Sequence, residues 1–217
     1  MKPILIVMHA RKIPAVLQAI RALEIPKAWF KGFTEVQLQE EIPRFIRSTD
    51  YTHYSIIGDD ALPTREALRL VLEAARSKEV VTGWSNMAPD VPVASVAPGE
   101  EPGPWSSLAF GLPTPVAASL KRLLRAGIPP FPQARMALLR HSFPTMAALR
   151  SLPPIFRVSN VSWTLTTMPR RLWLAHGFRK PPFLGGSDGF ESKALRHAGI
   201  EAWCVRDAFV YHLHSME

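Results

Sequence analysis

Over its first 88 residues the chain alternates short β-branched apolar runs with amphipathic stretches, a pattern that leaves few folds open. Ile4 to Met8 is a five-residue apolar run suited to a buried parallel strand. Ile13 to Leu23 then sets Ile13, Val16, Leu17, Ile20 and Leu23 in a helical stripe. Ala28 to Phe33 reads as a second strand, Val36 to Arg47 as a second helix, and Tyr54 to Ile57 as a third strand ending at Gly58-Asp59-Asp60. Thr64 stands as the N-cap of a helix reaching Arg76, and Val80 to Gly83 makes a fourth strand. Such alternation implies an α/β fold: a Rossmann-like, mostly parallel sheet flanked by helices. Ligands of these sheets bind at the carboxyl ends of the strands, and Asp59 and Asp60 follow one of those ends.

Proline sets the limit of this pattern. Thirteen of the 21 prolines lie between Pro89 and Pro154, and a residue that lacks a donor and blocks helix and central strand alike predicts loops and short helices there. The 217 residues are read as one domain in three parts: 1–88, a proline-rich loop and short-helix segment over 89–154, and a closing part over 155–217. The 26 Lys and Arg against 18 Asp and Glu give a net charge of +8, spread as about +2, +3 and +3 over those three parts, so no basic tail exists. The single cysteine, Cys204, excludes an intramolecular disulfide and any cysteine-rich zinc site, which fits a reducing, cytoplasmic setting. No eighteen apolar residues run uninterrupted, and Arg11 and Lys12 follow the first apolar run too soon for a secretory leader, so neither a membrane span nor a leader is expected. Residues 117–126 form a short basic amphipathic helix, compatible with a peripheral membrane contact or an anionic acceptor, although leucines packed inward with arginines outside is the simpler account.

Adjacent carboxylates at the end of an apolar strand repel each other, and something must offset the cost. A divalent cation such as Mg²⁺ or Mn²⁺ would do so, since these ions bridge one or two protein carboxylates to substrate phosphates. An Asx-turn with acidic residues near a helix start is the simpler account of the dipeptide taken alone.

The last quarter adds to that picture. A short helix runs through Met168-Pro169-Arg170-Arg171-Leu172-Trp173-Leu174-Ala175-His176 and stops at Gly177. Then come Gly185-Gly186-Ser187-Asp188-Gly189-Phe190-Glu191, a helix through Leu195, a turn at Gly199, strands over Ala202 to Val205 and Ala208 to Tyr211, and finally His212-Leu213-His214. Together with Ile56-Ile57-Gly58-Asp59-Asp60 upstream, this order resembles nucleotide-sugar glycosyltransferases of the GT-A fold, especially the inverting family 2 type. The resemblance covers about 1–88, which it makes a nucleotide-binding half, and 155–217, the half with the catalytic base and C-terminal strands, and it leaves the proline-rich 89–154 as an acceptor-side segment. It implies a GT-A-like fold and transfer of a sugar from a nucleoside-diphosphate sugar to an acceptor it does not name, with inversion. It puts Asp60 on the metal, Asp59 on the metal or the nucleotide ribose, and His212 as the late histidine completing the metal site. Asp188 matches the catalytic base, and His9 and Arg11 fall where this fold meets the nucleotide. The match has gaps: the acidic residue common after the second strand is represented only by Glu35, and Ser187 replaces the acidic residue often found before the base.

The chemistry suits the residue types. Departure of the sugar leaves negative charge on the diphosphate, which a cation stabilises, while a carboxylate takes the acceptor proton, an effect worth about 10² to 10⁴ in rate. Gly185, Gly186 and Gly189 allow close approach of a substrate, or simply a turn in which Ser187 or Asp188 caps the next helix. Trp84 and Asn86 follow the fourth strand and could line the sugar or acceptor pocket, Trp84 by stacking, although core packing explains it as well. Arg170 and Arg171 could neutralise a diphosphate, though such pairs usually face solvent. Two other functions use the same features. A nucleic-acid-binding protein would explain a pI near 10.1, but no basic run interleaved with aromatics is present. A nucleotidyltransferase would use the acidic metal site, but His9 to Pro14 offers no phosphate-cradling glycine loop.

Overall fold

The computed structural model describes residues 1–9, 13–32, 35–88, 91–99, 144–178 and 187–213, the side chains of 35–36, 87–88, 91–93 and 187–190 excepted. Strands β1 (Pro3–His9), β2 (Lys27–Lys31), β3 (His53–Gly58) and β5 (Val80–Trp84) fall where the apolar runs predict them. Helices α1 (Pro14–Arg21), α2 (Glu35–Ser48) and α3 (Arg65–Ala74) fill the intervals. α1 starts with a proline at its first position, where the missing N–H costs nothing. The Thr64 hydroxyl caps α3 by accepting from the Ala67 N–H at 3.0 Å.

Both faces of the sheet are buried, so successive residues of one strand enter different cores. Ile4 and Ile6 of β1 pack with Leu38, Ile42 and Ile46 of α2, whereas Leu5 and Val7 pack with Val16 and Ile20 of α1 and Leu68 and Val71 of α3. Continuous apolar runs are the sequence signature of such strands.

The main sheet has seven strands, the four above with β8 (Ile155–Val158), β9 (Thr166–Pro169) and β10 (Ala202–Phe209), in the order β2-β1-β3-β9-β5-β10-β8. β10 pairs parallel with β5, while β8 lines the edge antiparallel to β10. β9 runs antiparallel between β3 and β5. Five strands thus share one direction and two oppose it.

Three sequence expectations are corrected here. The helix expected from Met168 begins only at Arg170, as α5 (Arg170–His176), because Thr166 to Pro169 is strand. The signal was Thr164-Leu165-Thr166-Thr167, a β-branched run closed by a proline that ends it. The two strands expected over 202–205 and 208–211 are one long strand with a register shift between Cys204 and Phe209, followed by the two-residue β11 (Tyr211–His212). The described part of the proline-rich third is not all loop and helix. Beyond the short α4 (Met146–Arg150) it carries β7 (Val91–Ala94), which pairs antiparallel with β6 (Asn86–Ala88) just before it; Pro92 is tolerated because this sheet has only two strands. Residues 117–126 lie outside the described residues.

The register shift in β10 explains a glycine. A Cβ on Gly83 would lie 2.7 Å from the Ala208 carbonyl oxygen, so β5 can approach the shifted strand only with no side chain there. Cys204 is fully buried and its thiol pKa is pushed well up by desolvation, which makes it a small core residue and not a nucleophile.

β9 is held by hydroxyls. Ser55 Oγ and Thr167 Oγ1 are 2.6 Å apart with no solvent exposure, and Thr166 Oγ1 donates to Thr82 Oγ1 at 3.0 Å. In a buried sheet these contacts fix which residue of β9 faces which neighbour. Ser55→Ala or Thr167→Val alone strands one hydroxyl and should cost about 1–3 kcal/mol, whereas the double variant should cost clearly less than the two combined. Urea unfolding of the four proteins measures this coupling; strict additivity would show that the pair contributes nothing.

Candidate metal and nucleotide site

The site forms where β3 ends. A Cβ on Gly58 would sit 2.9 Å from Asp60 Oδ1, so a side chain there would push the Asp60 carboxylate from its place beside the strand end. Asp59 and Asp60 are 2% and 8% exposed. After the turn, β4 (Ala61–Leu62) pairs antiparallel with β11, aligning His212 with Ala61. The Leu213 N–H donates to the Asp60 carbonyl at 2.8 Å, so the C-terminal strand is laid directly along the acidic turn.

This pairing brings residues 152 positions apart together: His212 Nε2 lies 2.9 Å from Asp60 Oδ2. An ionised carboxylate only accepts hydrogen bonds, so against that form of Asp60 the contact needs an N–H on Nε2 of His212. Asn86 fixes the histidine's backbone from both sides. Its Nδ2 donates to the His212 carbonyl at 2.9 Å, and its Oδ1 accepts from the His212 N–H at 2.8 Å. The sequence marked Asn86 for a substrate pocket, and its visible work is to hold a site residue.

His9 ends β1 on the same carboxyl edge, its backbone carbonyl accepting from Gly32 N–H at 3.0 Å. Its ring is 9% exposed, meets the Trp29 ring edge to face at 5.7 Å, and has no hydrogen-bond partner for either nitrogen among the described residues. A buried imidazole with both nitrogens idle is costly, which makes it a candidate contact for a polar ligand.

A further group reaches the end of β3 through the backbone of Gly58. Because β9 runs antiparallel, the segment leading into it lies at the carboxyl edge, and the Trp163 carbonyl accepts from Gly58 N–H at 3.1 Å. The Trp163 indole N–H donates to Glu191 Oε2 at 2.6 Å. Glu191 belongs to α6 (Ser187–His197), is 2% exposed, and stands one turn after Asp188. Neither Trp163 nor Glu191 drew a role from the sequence. The available signal was a lone carboxylate beside an apolar helical stripe, one turn past the glycine-rich turn.

Several expected residues fall elsewhere. Trp84 is 1% exposed, packs on Phe209 at 4.7 Å between centroids and donates to the Arg206 carbonyl at 2.6 Å, so it has no face to offer a sugar. Arg170 donates to the carbonyls of Ile46 and Arg47, its N–H meets the Thr52 carbonyl, and Arg171 pairs with Glu79. That is the amino edge of the parallel strands, the far side of the sheet from Asp60, and no diphosphate on the carboxyl edge reaches it. Ser187 and Asp188 occupy the first two positions of α6. Arg11, Gly186 and the Asp188 side chain lie outside the described residues.

As a metal site the described residues are sparse. No cluster of three or more His, Cys, Asp or Glu side chains converges among them; Asp60 and His212 meet as a pair of potential donors. Two donors suit an ion that fills its remaining positions with phosphate oxygens and water.

No family model matches the chain, and no curated protein matches it in sequence. Solved structures do. GalNAc-T7, whose crystal structure holds UDP, GalNAc and Mn²⁺, superposes over 100% of this chain with a TM-score of 0.58 at 7% identity. The fold is GT-A-like. This chain spans only 44% of GalNAc-T7, whereas STIV A197, with a TM-score of 0.53 and 12% identity, is matched over 94% of this chain and 82% of its own. At these identities the likeness speaks to the fold, and the site must be argued from its own residues. No helix among the described residues is long and apolar enough to cross a membrane.

Proposed function

We propose that the protein is a metal-assisted glycosyltransferase that takes a sugar from a nucleoside-diphosphate donor. The observation that carries this reading is the Asp60–His212 pair, half-buried at the carboxyl edge of a GT-A-like sheet and joining residues 152 positions apart. A structural ion pair needs neither the glycine that makes room for Asp60 nor the asparagine that clamps His212. That Mn²⁺ and UDP occupy the similar fold of GalNAc-T7 supports the same ligand class here.

Asp60 and His212 would hold Mn²⁺ or Mg²⁺, which in place of the bridging proton would offset the charge left on the diphosphate as the sugar departs. Asp59, adjacent and almost fully buried, adds to the negative field that attracts a cation. His9 would donate from one ring nitrogen and accept at the other, suiting it to the polar edge of a nucleobase. Asp188, at the start of α6, would take the proton of the acceptor hydroxyl as the oxygen attacks the anomeric carbon from the side opposite the diphosphate, giving inversion. The net charge of +8 favours approach of an anionic donor.

Calorimetry with UDP, GDP, CDP and ADP, each with and without Mn²⁺ or Mg²⁺, tests the reading, paired with hydrolysis assays of the matching nucleotide sugars. One nucleotide is expected to bind tightly only with the cation. Asp188→Asn should leave that affinity unchanged and lower turnover by about 10² to 10⁴. Absence of binding for every nucleotide under both cations would overturn the reading.

A further inference from the structure

We propose that Trp163 and Glu191 form a positioning strut that sets the start of α6, and with it Asp188, against the Asp60 turn. The inference rests on the glycosyltransferase reading and goes beyond it by assigning work to two residues that touch neither metal nor donor.

Both ends of the strut are on the site's own elements. At one end the Trp163 carbonyl receives the Gly58 N–H at 3.1 Å, and Gly58 is the residue whose bare Cα gives Asp60 its place. At the other end the Trp163 indole N–H reaches Glu191 Oε2 at 2.6 Å, one turn past Asp188. The next residue of α6 repeats the grip: Ser192 Oγ accepts from the Val161 N–H at 3.0 Å. One turn further on, Arg196 donates to the Ser159 carbonyl. Residues 159–163 are therefore held by three side chains of one helix and bonded to the strand that carries the acidic turn.

The chemistry of the contact argues for orientation over adhesion. Burying a carboxylate is costly, and an apolar residue at 191 would hold α6 against the Trp163 ring with less penalty. What the carboxylate adds is direction, because a charge-assisted bond to the single indole N–H fixes both distance and angle. The ring is braced from another side by Phe178, 5.3 Å away between centroids, which itself stacks on Trp173 at 5.1 Å. Misplacing a catalytic group by about 1 Å can cost on the order of 10² in rate, so a device that fixes α6 to the metal turn acts on turnover.

The test is steady-state hydrolysis of uridine- and guanosine-diphosphate sugars with Mn²⁺, where water is the acceptor. Its oxygen bonds to the anomeric carbon, the bond to the diphosphate breaks, and Asp188 takes the proton. Glu191→Ala and Trp163→Phe should each lower kcat by about 10² while the affinity for the Mn²⁺–nucleoside diphosphate stays within about twofold of the parent. Glu191→Gln keeps an oxygen acceptor and should recover most of the rate. The Trp163→Phe, Glu191→Ala double variant should be no slower than either single, because both break the same bond. Trp163→Phe and Glu191→Gln are conservative enough to carry the test should Glu191→Ala not fold. Normal kcat in Trp163→Phe, equal loss of affinity and rate, or additive losses in the double variant would overturn the strut and leave the glycosyltransferase reading standing. A parent protein that neither binds a nucleoside diphosphate nor hydrolyses any of these sugars would overturn both.

Discussion

Replacing Asp60 with alanine is expected to abolish cation-dependent nucleotide binding while leaving the fold intact. On the proposed reading this carboxylate and His212 hold the cation together, so its removal would leave the imidazole to do so without a charge. Loss of a metal contact worth several kcal/mol corresponds to a fall of about 10² to 10³ in affinity, at 1.4 kcal/mol for each factor of ten. The backbone should hold: the Leu213 N–H bonds to the carbonyl of residue 60, and Asn86 grips the backbone of His212, neither through the Asp60 side chain. Asp60→Asn sharpens the experiment. The amide keeps a hydrogen-bonding group beside the imidazole but loses the charge that holds a cation, so it should bind nucleotide as poorly as alanine with a melting temperature near the parent's. An affinity in Asp60→Ala within about threefold of the parent in the presence of Mn²⁺ would mean that the cation, if bound, is held elsewhere.

The largest effect on stability is expected at Trp173. Its ring is fully buried in the core shared by β3, α2 and α5, stacks on Phe178 at 5.1 Å, and donates from Nε1 to the Tyr54 carbonyl at 2.7 Å. Gly177 is bare because a Cβ would enter the Trp173 ring space, so the chain turns off α5 directly against the indole. Trp173→Ala empties this volume and should cost about 3–5 kcal/mol. For a chain of this length that lowers the melting temperature by about 6–20 °C, at roughly 2–4 °C per kcal/mol. Trp173→Phe keeps the stack and loses the N–H, and should fall between the two proteins. Scanning calorimetry decides it. A drop under about 3 °C in the alanine variant would show that Phe178 and its neighbours close over the gap unaided.

Much of the fold was legible because its strands are buried on both faces. Ile4 to Met8 is apolar throughout, Tyr54 to Ile57 and Val80 to Gly83 carry one hydroxyl each among apolar residues, and all three are strands of the main sheet. β9 escaped because its threonines satisfy one another across the sheet, so a buried strand reads as polar: Thr166 with Thr82, Thr167 with Ser55. Of the site, Asp60 and His212 could be marked as candidates by their place after strands, and the structure puts them in contact. Trp84 misled because a tryptophan after a strand looks the same in sequence whether its ring faces a cleft or, as here, the Arg206 carbonyl. Arg170 and Arg171 misled for a topological reason: the strand before them runs the opposite way, which moves them to the far edge. Trp163 and Glu191 are joined by a side-chain bond across 28 residues, and no local pattern encodes that.

The place of β9 also bears on how the chain reaches its native state. β3 and β5 are only 21 residues apart from the end of one to the start of the other, yet they do not touch as neighbours; a strand from residues 166–169 separates them. The first 88 residues can therefore form β2-β1-β3 on one side, but β5 must wait for a segment made some 80 residues later before it joins the sheet. Loop closure over that distance is slow compared with local helix formation. The middle of the sheet, the part that carries the acidic turn, is thus among the last regions of the molecule to close during synthesis.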